Sequence, residues 1–147
     1  MIDTSRTPAS ATETILIVED EVLIRMDVAD YLRECRYHVV EAGNASEAIA
    51  ILQSGRHIDL VFSDVQLPGS MDGFALARWV RAHQQEIKVI LTSGMARSTE
   101  IAGELCDEGP LEKKPYDPQH LLQRIRSALS RVRQSDPNEP NTLRSGR

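Results

Sequence analysis

Short aliphatic runs alternate with stretches of helical apolar spacing between residues 13 and 133. Residues 15–18 (ILIV) form an unbroken aliphatic run, the pattern of a strand covered on both faces. Residues 22–35 carry Leu23, Met26 or Asp27, Tyr31, Leu32 and Cys35 at helical intervals. Residues 37–40 (YHVV) predict a second strand. Asn44 is a good N-cap, and Glu47 three positions on gives a capping-box-like start to a helix filled by Ala48, Ile49, Ile51 and Leu52 and ended by Gly55. Residues 58–62 (IDLVF) predict a third strand, with Asp59 near its mouth. Residues 73–84 predict a helix with Phe74, Leu76, Ala77 and Val80 inward, and residues 87–91 (IKVIL) a fourth strand. A weaker helix, interrupted by Gly103, is expected over 97–107, and a short fifth strand over 111–113. Asp117 and Pro118 suit the N-cap and first position of a last helix, striped by Leu121, Leu122, Ile125, Leu129 and Val132.

Five strands alternating with five helices predict an α/β fold, a parallel sheet covered on both faces. In such sheets the functional crevice lies at the carboxyl ends of the strands. The residues there are chemically suggestive. The first strand runs into Glu19-Asp20-Glu21, the third into Ser63-Asp64, the fourth into Thr92-Ser93 and the fifth into Lys113-Lys114. Any one of these has a plain reading, since acids cap helices, Asp64 suits a turn and Thr92 is a β-branched strand end. Their coincidence on one sheet edge favours chemistry.

Composition narrows the partners. The chain has 147 residues, 17 basic against 22 acidic, and a net charge of −5. That balance argues against direct nucleic-acid binding, and the arginines between Arg124 and Arg133 read as a solvated helix face. No run approaches a membrane span, and the polar start MIDTSRTPASATE has no export core, so a cytoplasmic protein without membrane attachment is expected. Cys35 and Cys106 then read as buried thiols rather than a disulfide. Residues 1–12 and 134–147 are expected to be tails flanking one domain over 13–133. His38, His57, His83 and His120 show no ligand spacing, and Trp79 reads as packing.

Crowded carboxylates tolerate one another around a hard divalent cation. Mg²⁺ takes one or two carboxylates plus phosphate oxygens and keeps several waters. A carboxylate in such a cluster can attack phosphorus, with a lysine and a hydroxyl steadying the transferred group.

The segments ILIVEDEVLIR (15–25), VFSDVQLPGSMDGFALA (61–77), KVILTSG (88–94) and LEKKPYDPQHLLQRI (111–125) together resemble the CheY-like receiver domain of two-component response regulators. The resemblance implies a doubly wound, flavodoxin-like sheet of order 2-1-3-4-5 with five helices. It implies Asp64 as phosphoacceptor, with Thr92 and Lys114 as the switch hydroxyl and the lysine of the K-P motif. Lys113 is the secondary lysine candidate. It implies an Mg²⁺ site made by Glu19, Asp20, Asp64 and the backbone carbonyl of Gln66, with Asp20 the direct ligand and Glu19 acting through water. The partners implied are a sensor histidine kinase or phosphotransfer protein and a downstream protein effector, with a homodimer through the face of the fourth helix, fifth strand and last helix as an option.

Two positions depart from the family pattern. Leu111 stands where the family places its switch aromatic, and PGSMDG carries one residue more than the usual P-x-M-D-G loop. The reading is a stand-alone receiver signalling in trans, a phosphoacceptor that catalyses only its own phosphorylation and dephosphorylation. The first alternative is an Mg-dependent phosphatase or phosphotransferase with an aspartyl nucleophile. Enzymes of the haloacid-dehalogenase type place that nucleophile after the first strand, not the third. The other alternative is a pseudo-receiver that binds partners without phosphorylation, against which the complete set of site residues speaks.

Overall fold

A computed structural model describes residues 12–93, 112–113 and 117–134 of the chain. In chain order the described elements are β1 (Thr14–Val18), α1 (Val22–Glu34), β2 (His38–Ala42), α2 (Ala45–Gln53), β3 (Leu60–Asp64), α3 (Gly73–His83), β4 (Lys88–Ser93), β5 (Glu112–Lys113) and α4 (Pro118–Gln134). The strands form one parallel sheet of order β2-β1-β3-β4-β5. That is the doubly wound arrangement expected. The helix expected over 97–107, together with Leu111, Cys106 and Lys114, lies outside the described residues.

Alternation along each strand splits the core in two, because successive side chains leave a strand on opposite faces. Leu16, Val18, Val61, Val89 and Leu91 pack one way, against Ala48 and Leu52 of α2 and Leu76, Ala77 and Val80 of α3. Ile15, Ile17, Leu60, Phe62 and Ile90 pack the other way, against Val28, Ala29 and Leu32 of α1 and Leu121, Ile125 and Leu129 of α4. This accounts for the unbroken apolar run of β1, whose residues Ile15 to Val18 are all buried.

α1 follows its predicted stripe in its second half, where Tyr31, Leu32 and Cys35 pack on the core beside Val28 and Ala29, and departs from it in its first half, where Leu23 and Met26 are exposed. In the first half of α1 it is Ile24 that packs on the core, which leaves Leu23 and Met26 in solvent. Strand β3 starts at Leu60, two residues after the predicted start, because Asp59 is used before the strand: its carboxylate accepts the Thr14 N–H (2.8 Å) and pairs with His57 (2.8 Å). Cys35 is half-buried rather than buried, and has no disulfide partner among the described residues. Trp79 packs on the core and stacks on His83, with ring centroids 4.4 Å apart. No described helix is long and apolar enough to cross a membrane.

Candidate functional site

The parallel register decides what meets at the carboxyl edge. Val18 pairs with Ser63 and Asp64 with Thr92, so Glu19 and Asp20 emerge from β1 level with the end of β3. Carboxylate oxygens of Glu19, Asp20 and Asp64 lie within 4.8 Å of one another. Glu19 and Asp64 are buried and Asp20 is exposed. Buried carboxylates this close repel strongly unless a cation or proton intervenes.

The acids do not spend themselves capping α1. The N-cap residue Glu21 makes no side-chain cap bond, and Glu19 Oε2 instead accepts the Glu21 N–H at 3.1 Å. Asp64 does take a turn contact, accepting the Gln66 N–H at 3.1 Å on Oδ1. The Gln66 side chain is exposed. Thr92 is fully buried, and its Oγ1 finds no hydrogen-bond partner among the described residues. A buried orphan hydroxyl costs stability, so its retention level with Asp64 favours a ligand that would bond it. Hard carboxylate oxygens, an edge open to solvent at Asp20 and a hydroxyl beside the cluster fit Mg²⁺ together with a phosphoryl group.

The structure therefore brings together Glu19, Asp20, Asp64, Gln66 and Thr92. Lys114 falls outside the described residues, one position past β5, whose Lys113 pairs in register with Ser93. Two further residues shape the site. Gly73 opens α3 against the end of β3: a Cβ there would stand 2.2 Å from the Asp64 carbonyl oxygen and 2.7 Å from the Val65 Cα. The Gly73 N–H donates to the Val65 carbonyl at 2.7 Å. Arg25 reaches from α1 to the main chain of Glu19, its Nη1 donating to that carbonyl at 2.9 Å. Neither follows from hydrophobic period, because Gly73 works by lacking a side chain and Arg25 bonds a backbone atom. The extra residue of the 68–73 loop stays outside the cluster. Leu67 and Met71 anchor the loop on the core while Pro68, Gly69 and Ser70 are exposed, and Gly69 turns the chain at a φ of 97°. With α2 this loop borders an open groove of about 630 Å³.

Comparison with known proteins agrees with this fold. The model of the response regulator receiver domain matches residues 15–126. The chain is 36% identical over 124 residues to the transcriptional regulatory protein AruR of Pseudomonas aeruginosa, covering 81% of this chain and 50% of that protein. It is 34% identical over 134 residues to the transcriptional regulatory protein PdtaR of Mycobacterium tuberculosis, covering 89% of this chain and 63% of that one. The chain thus spans between half and two thirds of the length of these relatives. Among solved structures, the signal receiver domain of an HD domain-containing protein from Pseudomonas fluorescens superposes with a TM-score of 0.72 at 28% identity, covering 84% of this chain and 98% of the other. A CheY-like receiver from Methanospirillum hungatei shares the fold, with a TM-score of 0.77 at 24% identity, over 85% of this chain and 99% of the other.

Proposed function

The chain belongs to the response regulator receiver domain family, and on that premise we propose that it accepts a phosphoryl group on Asp64 from a phosphohistidine of a sensor kinase or phosphotransfer protein, in an Mg²⁺-dependent reaction, and passes the change on to a protein partner. The observation that carries this reading is the meeting of Glu19, Asp20 and Asp64 within 4.8 Å, with the buried Thr92 hydroxyl in register beside Asp64. An Asp64 carboxylate oxygen attacks phosphorus. The P–N bond to the donor imidazole breaks, its electron pair returns to the ring, and a P–O bond to Asp64 forms. Glu19, Asp20, Asp64 and the Gln66 carbonyl would hold Mg²⁺, which when bound offsets negative charge on the phosphoryl oxygens. The Gln66 N–H fixes the Asp64 carboxylate through its 3.1 Å bond. Thr92 Oγ1 gains in the phosphoryl oxygens the partner it lacks among the described residues. Lys114 is proposed to pair with the same charge.

Intact-mass measurement after incubation with acetyl phosphate and Mg²⁺ tests the reading. One added phosphoryl group is expected, lost in Asp64→Asn and on chelation of the metal. Modification that persists in Asp64→Asn counts against it. The trans-acting, single-domain part of the proposal has its own test, the mass of the protein from its native cells: 16.4 kDa supports it and a heavier chain overturns it. The relatives named above are called transcriptional regulators, but the net charge of −5 favours a protein partner over DNA for this chain. A shift of duplex DNA by the phosphorylated chain would reverse that choice.

A further inference from the structure

Arg25 stands in the first half of α1, behind the acidic pair rather than among it. Its neighbours Val22, Leu23 and Met26 are exposed, yet the Arg25 side chain is only 20% exposed. Its donors are committed on two sides. Nε donates to Glu41 Oε1 at 3.1 Å, and Nη1 to the Glu19 carbonyl at 2.9 Å. Its own N–H donates to the Glu21 carbonyl at 3.0 Å. The other oxygen of Glu41 accepts from Arg33 Nη2 at 3.2 Å, so the carboxylate on which Arg25 rests is itself held. Past the end of β2 the chain offers Gly43, where a Cβ would lie 3.4 Å from Arg25 Nη1. The guanidinium thus lies against nearly bare backbone.

What needs holding is the turn from β1 into α1. Residues 19–21 belong to neither element. The Glu19 N–H is tied to the Ala42 carbonyl at 3.0 Å, the last rung of the β1–β2 ladder. The Glu19 carbonyl lies beyond that ladder, and Arg25 takes it. Both backbone groups of Glu19 are therefore bonded, one on each side of the Cα from which its carboxylate leaves towards Asp64. The repulsion among three carboxylates within 4.8 Å pushes this turn outward, and the Arg25 bond opposes that push.

We propose that Arg25 is a positioning residue of the acidic cluster: anchored on Glu41 and bonded to the Glu19 carbonyl, it holds the 19–20 turn in the geometry that a divalent cation requires. The proposal rests on the reading above, in which Glu19 and Asp20 bind Mg²⁺. Charge and position make opposite demands here. A guanidinium near the cluster disfavours a second cation, so on charge alone removing it would tighten Mg²⁺ binding. On position, removing it loosens the turn and weakens binding.

The test is calorimetric titration of the full chain with Mg²⁺, alongside urea unfolding. Arg33 is the control, because it shares Glu41 but otherwise meets Asp30 and the Val39 carbonyl, not Glu19. Arg25→Ala should weaken Mg²⁺ about tenfold, the low end for groups that orient metal ligands. Arg33→Ala, which leaves the bond from Arg25 to the Glu19 carbonyl in place, should lose much less affinity than Arg25→Ala while losing a comparable amount of stability. Arg25→Lys, a point charge without the planar fork, should recover only part of the affinity. Arg25→Ala binding Mg²⁺ as tightly as wild type or more tightly overturns the proposal, as does an equal loss in Arg33→Ala. If Arg25→Ala does not fold, Arg25→Lys decides: weaker binding supports the role and unchanged binding overturns it. Wild-type binding that is absent, or that survives Asp20→Asn, overturns the metal-site reading itself. Binding lost in Asp20→Asn but intact in Arg25→Ala overturns the Arg25 role alone.

Discussion

A methyl group at Gly73 would collide with main chain, 2.2 Å from the Asp64 carbonyl oxygen and 2.9 Å from the Asp64 carbonyl carbon. Neither neighbour is the end of a flexible side chain, so relief comes only by moving α3 or β3. Gly73→Ala should therefore lower stability by about 3 kcal/mol, the upper range for overpacking. It should also slow acetyl phosphate labelling of Asp64 more than its lost stability explains, when labelling is measured well below the unfolding temperature. Thr92 makes the opposite trade. Its hydroxyl is buried without a partner among the described residues, and valine has nearly its shape. Thr92→Val should raise stability by about 1 kcal/mol, because an unsatisfied buried polar group is removed. It should also reduce any spectral response to a phosphate mimic. A less stable valine variant would mean that the hydroxyl is already bonded in the resting protein. The candidate acids were legible because a parallel sheet brings the carboxyl ends of all its strands to one edge, and Asp64 and Thr92 stand at the ends of their runs; that they pair in register is a finding of the structure. Arg25 and Gly73 were not, since one acts on a carbonyl and the other by an absence.

The elements follow their sequence signals with local corrections that have physical causes. Asn44 caps α2 as expected, its Oδ1 accepting the Glu47 N–H at 2.8 Å. Glu47 reaches back one residue further than a capping box does and accepts the Gly43 N–H at 2.7 Å. Asn44→Ala should cost about 1 kcal/mol, read as a drop in the urea midpoint, as is usual for lost N-caps. The exposed start of the predicted α1 stripe has a related lesson. Leu23 and Met26 fit a helical period, but period alone does not say that Ile24 is the residue that packs on the core. Between α1 and β2, Tyr37 supplies a pH signal. Burial raises its phenol above the usual tyrosine value, an effect partly offset by the charge and hydrogen bond of Arg126. A folded-state value raised in this way keeps the protein's stability intact below the unfolded value near pH 10, and stability is lost as pH rises through the folded value. Urea unfolding from about pH 8 to about pH 11 should thus show a steeper alkaline loss in the wild type than in Tyr37→Phe. Parallel curves would mean that the ring is solvated.

At the scale of the molecule, the sheet gathers charge at one edge and the fold bears the cost. For one pair of unit charges 4.8 Å apart at an effective dielectric near 20, repulsion is about 3.5 kcal/mol. Asp20 is exposed and solvent screens its share, so the net strain released by removing one charge should be about 1–2 kcal/mol. Asp64→Asn keeps the shape of the side chain and its carbonyl oxygen for the Gln66 N–H while removing a buried charge. Without divalent ions and at low salt, Asp64→Asn should accordingly be more stable than the wild type by that amount. Mg²⁺ should reverse the order. At a hundred times its dissociation constant, a cation that binds only the folded state adds about 2.7 kcal/mol, and the wild type should gain most of this. Asp64→Asn, with one ligand charge missing, should gain far less. Urea unfolding of both proteins with excess chelator and then with saturating Mg²⁺ checks both halves. A wild type that already matches Asp64→Asn in chelator would show that the carboxylates are not in mutual repulsion. A gap that Mg²⁺ leaves unchanged would show that the cluster does not bind the cation. The expected crossing would tie fold to function directly: the register that completes the sheet also gathers the carboxylates whose repulsion a bound cation would offset.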